Sequence, residues 1–378
     1  MADVTTGPTT IPATSWLVTE AAPDGTRTPF AARLASVGRH LPPTRLTTGE
    51  LMASTRHRTR IDLERLTGIR ERRVSVGDED SLSLATGAAR DCLARWDGDP
   101  AQIDLVVSSS ITRYRGGLAT WFEPPISVEV ARAIGATRAT TFDLSNACAG
   151  MLTGLFVANN WIRRGAARTA LVVSGEYISQ LGRNAARHVR TIMSRELASL
   201  TLGDAGGALL LERAGDGDGR IEVAGFTTIA GHSRLCLAYP SRHEEGARMF
   251  TKARAIHNVA IADTPTLLAE AMEAAGISIG DVDHVIPHQT SARAIRKGMA
   301  EVTDALGGAP RNPAVITVDR YGNTASTTHV VALAEELRAG HIEPGDRLAL
   351  VALASGLEIG VVLLTVDDRL VRRHGHPA

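Results

Sequence analysis

Cys148 stands in the run Asn146-Ala-Cys-Ala-Gly150. Before it lies an apolar run over residues 139–144, which reads as a buried strand. After it comes Met151-Leu-Thr-Gly-Leu-Phe-Val-Ala158, which reads as the start of a buried helix packed through small residues. The spacing therefore sets the cysteine at a strand-to-helix corner. Unpaired N–H groups and the helix dipole at such a corner favour thiolate over thiol. A thiolate is the form that attacks an acyl carbonyl. A free cysteine is also commonly a small buried apolar residue, so the assignment depends on what accompanies it.

Two further motifs carry polar groups to similar corners. In Val285-Ile-Pro-His-Gln-Thr-Ser-Ala-Arg293, His288 follows a strand pattern and opens a helix pattern. The dipole tends to keep such an imidazole neutral, able to donate one N–H or accept a proton. Its ordinary alternative is a helix-capping histidine. In Tyr321-Gly-Asn-Thr-Ala-Ser326, Asn323 lies between a glycine and small residues that allow a ligand close to the backbone. Its amide can donate to a developing oxyanion, and its ordinary alternative is a turn asparagine. The three motifs together, in this order, specify nucleophilic acyl chemistry far more sharply than any one of them.

The elements that must hold these residues alternate. Strand patterns fall at 105–109, 169–174, 208–212, 223–227, 283–287, 348–352 and 360–365. Helix patterns fall at 80–95, 128–134, 264–275, 291–301 and 327–338, with Thr264-Pro265 as a cap and first turn of the third. This is an α/β chain with mostly buried strands. The halves echo each other: strand, short loop and small-residue helix at 142–155 recur at 315–333, where Val315-Ile-Thr-Val318 reads as the strand. A Gly-rich entry into an apolar strand at 203–211 recurs at 355–364. The division expected is a flexible N-terminal extension over 1–28, one half over 29–215 carrying the cysteine, and a second over 216–370 carrying the histidine and asparagine. The seam falls at the Gly/Asp cluster 214–219.

Composition narrows the class. The 378 residues, 44% hydrophobic, are enough for a sizeable core. Equal numbers of basic and acidic residues, 41 each, argue against nucleic-acid binding by bulk charge. Three cysteines, Cys92, Cys148 and Cys236, fit a reducing cytoplasm and no disulfide framework. No apolar run reaches membrane-spanning length, and the Thr/Pro/Ala-rich N-terminus lacks the pattern of a secretory signal. No cluster has metal-ligand spacing, and the Gly203–Gly207 loop lacks the Lys-Ser/Thr of a phosphate-binding loop. Cys92 reads as core, and Cys236 as core or pocket wall.

Cys148 in Asn-Ala-Cys-Ala-Gly, His288 in Pro-His-Gln and Asn323 in Tyr-Gly-Asn-Thr resemble the Cys–His–Asn triad of the ketoacyl-ACP synthase III enzymes. Arg33-Leu-Ala-Ser-Val-Gly-Arg-His-Leu-Pro42, Thr67-Gly-Ile-Arg-Glu-Arg-Arg73, Gly203-Asp-Ala-Gly-Gly207 and Ser355-Gly-Leu357 resemble other motifs of that family. The resemblance spans roughly residues 30–368. It implies a thiolase fold, two duplicated βαβαβαββ halves in five α-β-α-β-α layers, as a homodimer. It implies a Claisen condensation through an acyl-Cys148, with Cys148 and Gly356 N–H groups as the first oxyanion hole and His288 and Asn323 holding the second substrate. Coenzyme A or phosphopantetheine thioesters would be substrates, delivered as acyl-CoA or by an acyl carrier protein, with no tightly bound cofactor.

The chain departs from the housekeeping members. No aromatic residue stands near Asp62, where those enzymes carry a tryptophan that stacks on adenine; the preceding 56–60 run is basic instead. Phe122-Glu-Pro-Pro125, Ala198-Ser-Leu-Thr-Leu-Gly203 and His232-Ser-Arg-Leu-Cys-Leu237 are similar to the acyl-CoA condensing enzymes of bacterial olefin and β-lactone pathways. That likeness implies Glu123 as a base reaching in from the partner subunit, for condensation without decarboxylation. A loop glutamate at a dimer interface is the plain alternative. Three activities stay open: condensation in fatty-acid-like or secondary metabolism, acyl transfer to a hydroxyl or amine, and a non-catalytic subunit that shapes a partner's tunnel.

Overall fold

The computed structural model describes residues 16–19, 28–57 and 59–375. Leu105–Ser108 and Thr169–Glu176 are buried along their whole length, so they can only be interior strands. They run parallel to each other, and Thr140–Asp143 runs parallel to Leu105–Ser108 on the far side. Ala205–Arg213 pairs antiparallel with Thr169–Glu176 and with Ala32–His40, which completes a five-stranded sheet.

The second sheet repeats this plan. His284–Pro287 runs parallel to Arg347–Ala354, Glu358–Thr365 turns back antiparallel, and Ile221–Thr228 follows antiparallel. Trp16–Val18, inside the stretch expected as an N-terminal extension, adds an antiparallel edge strand. The remainder of that extension, 1–15 and 20–27, lies outside the described residues. The chain passes from one sheet to the other between Arg213 and Ile221.

Three apolar clusters order the layers. The largest joins inner faces of both sheets to Gly150–Arg163 and Thr328–Ala339, the two central helices. A second packs Ser81–Leu93 and Ile126–Ile134 on the outside of the first sheet. A third packs Ala253–Ala275 and Ala292–Leu306 on the outside of the second. The result is the five-layer α-β-α-β-α arrangement of the thiolase fold. Gly175 and Gly206 sit opposite each other in register beneath Ser81–Leu93. A Cβ on Gly206 would lie 2.0 Å from the Leu84 carbonyl oxygen, and one on Gly175 2.0 Å from that of Ser81. The bare backbone lets the outer helix lie directly on the sheet.

Two local expectations are corrected. Thr264-Pro265 does not begin a helix: Ala253–Ala275 runs through Pro265, and Thr264 Oγ1 is buried without a partner among the described residues. The strand expected at 315–318 is not formed. Val315 N–H still reaches the Val285 carbonyl at 3.0 Å. Beyond it the Gln289 amide takes over, donating to Val315 O and accepting from Thr317 N and Val318 N. A side chain thus replaces the ladder, and Val318–Tyr321 coils into a short helix instead.

Candidate active site

Each central helix is entered through a tight turn. Ala147–Ala149 precedes Gly150–Arg163, and Ala325–Thr327 precedes Thr328–Ala339. The two turns pack against each other between the halves. Cys148 is half-buried in the first turn. Its neighbours are Ile178, Leu181, Leu202 and Ala325, together with Ala247 and Met249. The last two belong to Ala247–Thr251, one arm of a ribbon with Cys236–Pro240. Asn146 ties this corner to the 355–357 hairpin turn, donating to Glu358 Oε1 at 3.2 Å and to Thr153 Oγ1 at 2.8 Å.

The sequence expects a thiolate at this corner, and the structure corrects that expectation. Burial pushes the Cys148 thiol up, and the neighbouring Cys236 and Glu176 push it further. Desolvation outweighs the dipole because the sulfur sits among apolar side chains. The resting group is a thiol, whose proton must leave during attack.

Asn323 is fixed from both sides. Its N–H donates to Thr201 O at 2.8 Å, and its carbonyl accepts from Gly203 N at 3.0 Å. These two loops cross at glycines: a Cβ on Gly203 would stand 2.2 Å from Tyr321 O. The side-chain Oδ1 accepts from Ala325 N at 2.9 Å. That assignment leaves Nδ2 as a donor without a protein partner among the described residues, two residues before the turn that packs against Cys148.

His288 is buried at the end of His284–Pro287. Its N–H donates to Val351 O at 2.9 Å. His329 Nε2 also donates to Val351 O, at 3.0 Å, and the two rings lie 6.0 Å apart between centroids. Burial, with His329 adding, holds His288 down at about 3; burial alone holds His329 at about 4. Both rings are neutral at physiological pH. Neither ring nitrogen of His288 has a protein partner among the described residues, and its Nδ1 is wholly enclosed. The Gly356 N–H likewise donates to no protein group among the described residues, and the Cys148 N–H faces its own sulfur.

The chain brings the Cys148, Asn323 and His288 segments together around the two turns and Val351. It does not bring Glu123 there. Glu123 is exposed on the 121–125 loop beside Phe122, which is 78% exposed. Sequence reasoning missed Glu176, the last residue of Thr169–Glu176, which is wholly buried beside this site. It also missed His329 and Ser326. A glutamate ending an eight-residue buried strand was the available signal for the first. For the others there was none: Ser326 reads as one more small residue of the Asn323 motif, and His329 stands in an ordinary helix start. Among the described residues no group of three His, Cys, Asp or Glu is placed to hold a metal, and no helix is long and apolar enough to cross a membrane.

Comparison with known proteins gives consistent likenesses. Residues 142–229 match the model of the 3-oxoacyl-[acyl-carrier-protein] synthase III family, and residues 272–366 match that of its C-terminal part. The beta-ketoacyl-[acyl-carrier-protein] synthase III of Symbiobacterium thermophilum is 33% identical over 315 residues, covering 79% of this chain and 87% of that protein. The enzyme of the same name from Sphingopyxis alaskensis is 30% identical over 340 residues, covering 89% and 99%. Among solved structures, 3-oxoacyl-[acyl-carrier-protein] synthase III of Aquifex aeolicus superposes with a TM-score of 0.74 at 25% identity, covering 88% of this chain and 99% of that one. OleA of Xanthomonas campestris shares the fold at a TM-score of 0.77 and 24% identity, covering 89% and 98%.

Proposed function

The chain belongs to the beta-ketoacyl-[acyl-carrier-protein] synthase III family of acyl-thioester condensing enzymes, and from that premise we propose that it works through an acyl-Cys148 intermediate. In the first half-reaction Cys148 Sγ attacks the carbonyl carbon of an acyl thioester. The C–S bond to the carrier thiol breaks, and that thiol leaves carrying the proton that Cys148 gave up. The tetrahedral oxyanion accepts from the N–H groups of Cys148 and Gly356. Donors already aimed at a developing charge need no reorganisation as it forms. The acyl chain lies along the apolar wall of Ile178, Leu181, Leu202 and Met249.

In the second half-reaction another acyl thioester enters as a carbon nucleophile. Its Cα becomes carbanionic by loss of carbon dioxide or of a proton, and the charge spreads onto the thioester oxygen. His288 and Asn323 Nδ2 donate to that oxygen. A neutral imidazole suits this role, since it stabilises the enolate without giving up its proton outright. The carbanion attacks the acyl carbon, a C–C bond forms, and the Cys148 C–S bond breaks to give a thiolate that takes a proton from solvent. Acyl-CoA and acyl carrier protein are the proposed carriers, and a homodimer the proposed assembly.

The observation that carries the reading is the Asn323 amide, its oxygen committed to the N–H of Ala325, the residue that packs on Cys148, and its nitrogen left as a donor. Asn323→Asp keeps the acceptor and removes the donor. It is expected to take up an acyl group normally and to lose condensation by roughly 10²–10³-fold. Equal loss of both half-reactions would overturn the assignment.

A further inference from the structure

Glu176 is a carboxylate in a cage of donors. It accepts from Ile111 N at 2.9 Å, Thr112 N at 3.2 Å, Thr112 Oγ1 at 3.1 Å, Ser174 Oγ at 3.1 Å and Ser326 Oγ. The cage crosses the two halves, because Ser326 belongs to the turn before Thr328–Ala339 and also meets Ser174 Oγ at 2.7 Å. That turn is the one packed on Cys148, through Ala325. Ile111 and Thr112, held by the same carboxylate, begin the segment that runs on to Glu123. A buried carboxylate without a cation is costly, and five donors offset that cost.

We propose that Glu176 is a positioning residue for the nucleophile: it fixes the Ser326 turn against Cys148, and its charge governs how readily Cys148 gives up its proton. The inference rests on the reading of Cys148 as the nucleophile. A nearby negative charge disfavours thiolate. Glu176 adds to the rise of the Cys148 thiol, and burial lifts its own carboxyl to about 6. The titratable groups acting on Cys148 are Cys236 from the ribbon and Glu176 from its strand, and Glu358 binds Asn146 two residues away. A less acidic thiol is a poorer leaving group. Glu176 thereby slows loss of an acyl group from Cys148 to water while the second substrate arrives.

The test is the pH profile of Cys148 alkylation by iodoacetamide, followed by mass in a Cys236→Ala background with Cys148→Ala as blank. Glu176→Gln is expected to move the midpoint to lower pH and to speed labelling at pH 8 roughly ten-fold. Glu176→Asp, which keeps the charge, is expected to restore the wild-type midpoint. A folded Glu176→Gln protein with an unmoved midpoint overturns the inference. If that variant does not fold, the profile of the parent protein decides. Coupling to Glu176 raises the rate below pH 6 above the line for one isolated thiol, and a single ionisation throughout overturns the inference. Alkylation needs no acyl donor, so a shifted midpoint in a protein that never loads acyl groups would sink the acyl-Cys148 reading and leave this one standing.

Discussion

Ala147 and Ala325 occupy equivalent positions in the two halves, and they are the non-glycine residues with positive φ among those described, at 43° and 54°. Each opens the tight turn before a central helix, one followed by Cys148 and the other by Ser326. A side-chain-bearing residue in this region is costly and persists only where its surroundings hold it. Here the same bend was needed twice, once to present a sulfur and once to present a hydroxyl to Glu176. The duplication therefore built two corners of one shape, and sequence change gave them different work.

Glu123 lies on an exposed loop, away from Cys148 of its own chain. If it serves as base, it does so in a second copy. Glu123→Ala is then expected to leave acyl loading intact and to stop condensation between two simple acyl thioesters. A product assay with paired acyl-CoA substrates decides, and condensation at the parental rate would make Glu123 structural.

His288 and His329 are held neutral, at about 3 and 4, against about 6.5 in the unfolded chain. Between pH 6.5 and those values the unfolded state binds more protons, so stability rises with pH. Glu176 acts in the opposite sense: raised to about 6, it holds a proton in the folded state from there down to its unfolded value. Two histidines outweigh one carboxyl. The free energy of unfolding is expected to fall by roughly 2–3 kcal/mol from pH 7 to pH 5, each proton counting about 1.4 kcal/mol per pH unit. Urea unfolding at the two pH values measures it, and equal stability would contradict the burial of both rings.

Gly206→Ala places a methyl group against the Leu84 carbonyl. The helix has no flexible side chain there to yield, so Ser81–Leu93 must lift from the sheet. A loss of about 2–3 kcal/mol in unfolding free energy is expected. A change within 0.5 kcal/mol, about the span of an ordinary surface substitution, would show that the helix is free to shift.

Much of this was legible in the chain because it rests on local pattern. The buried strands over Leu105–Ser108, Thr169–Glu176 and Glu358–Thr365 show as apolar runs, and the corner at Cys148 shows as a run, a polar break and a small-residue helix. What stayed hidden depends on contacts distant in sequence. Gln289 replaces a strand ladder at 315–318, and nothing near Val315 signals it. The acidity of Cys148 was misjudged because the dipole is local, whereas the apolar wall comes from the 178–202 and 247–249 segments. Glu176 is invisible as a partner of Ser326 across 150 residues of chain.

The most direct measurement is intact-protein mass spectrometry after exposure to acyl-CoA thioesters from acetyl to long chain, together with malonyl-CoA. The account expects a mass increase of one acyl group with at least one donor, lost in Cys148→Ala while that variant stays folded. An adduct that survives Cys148→Ala, or turnover unchanged in that variant, would contradict it.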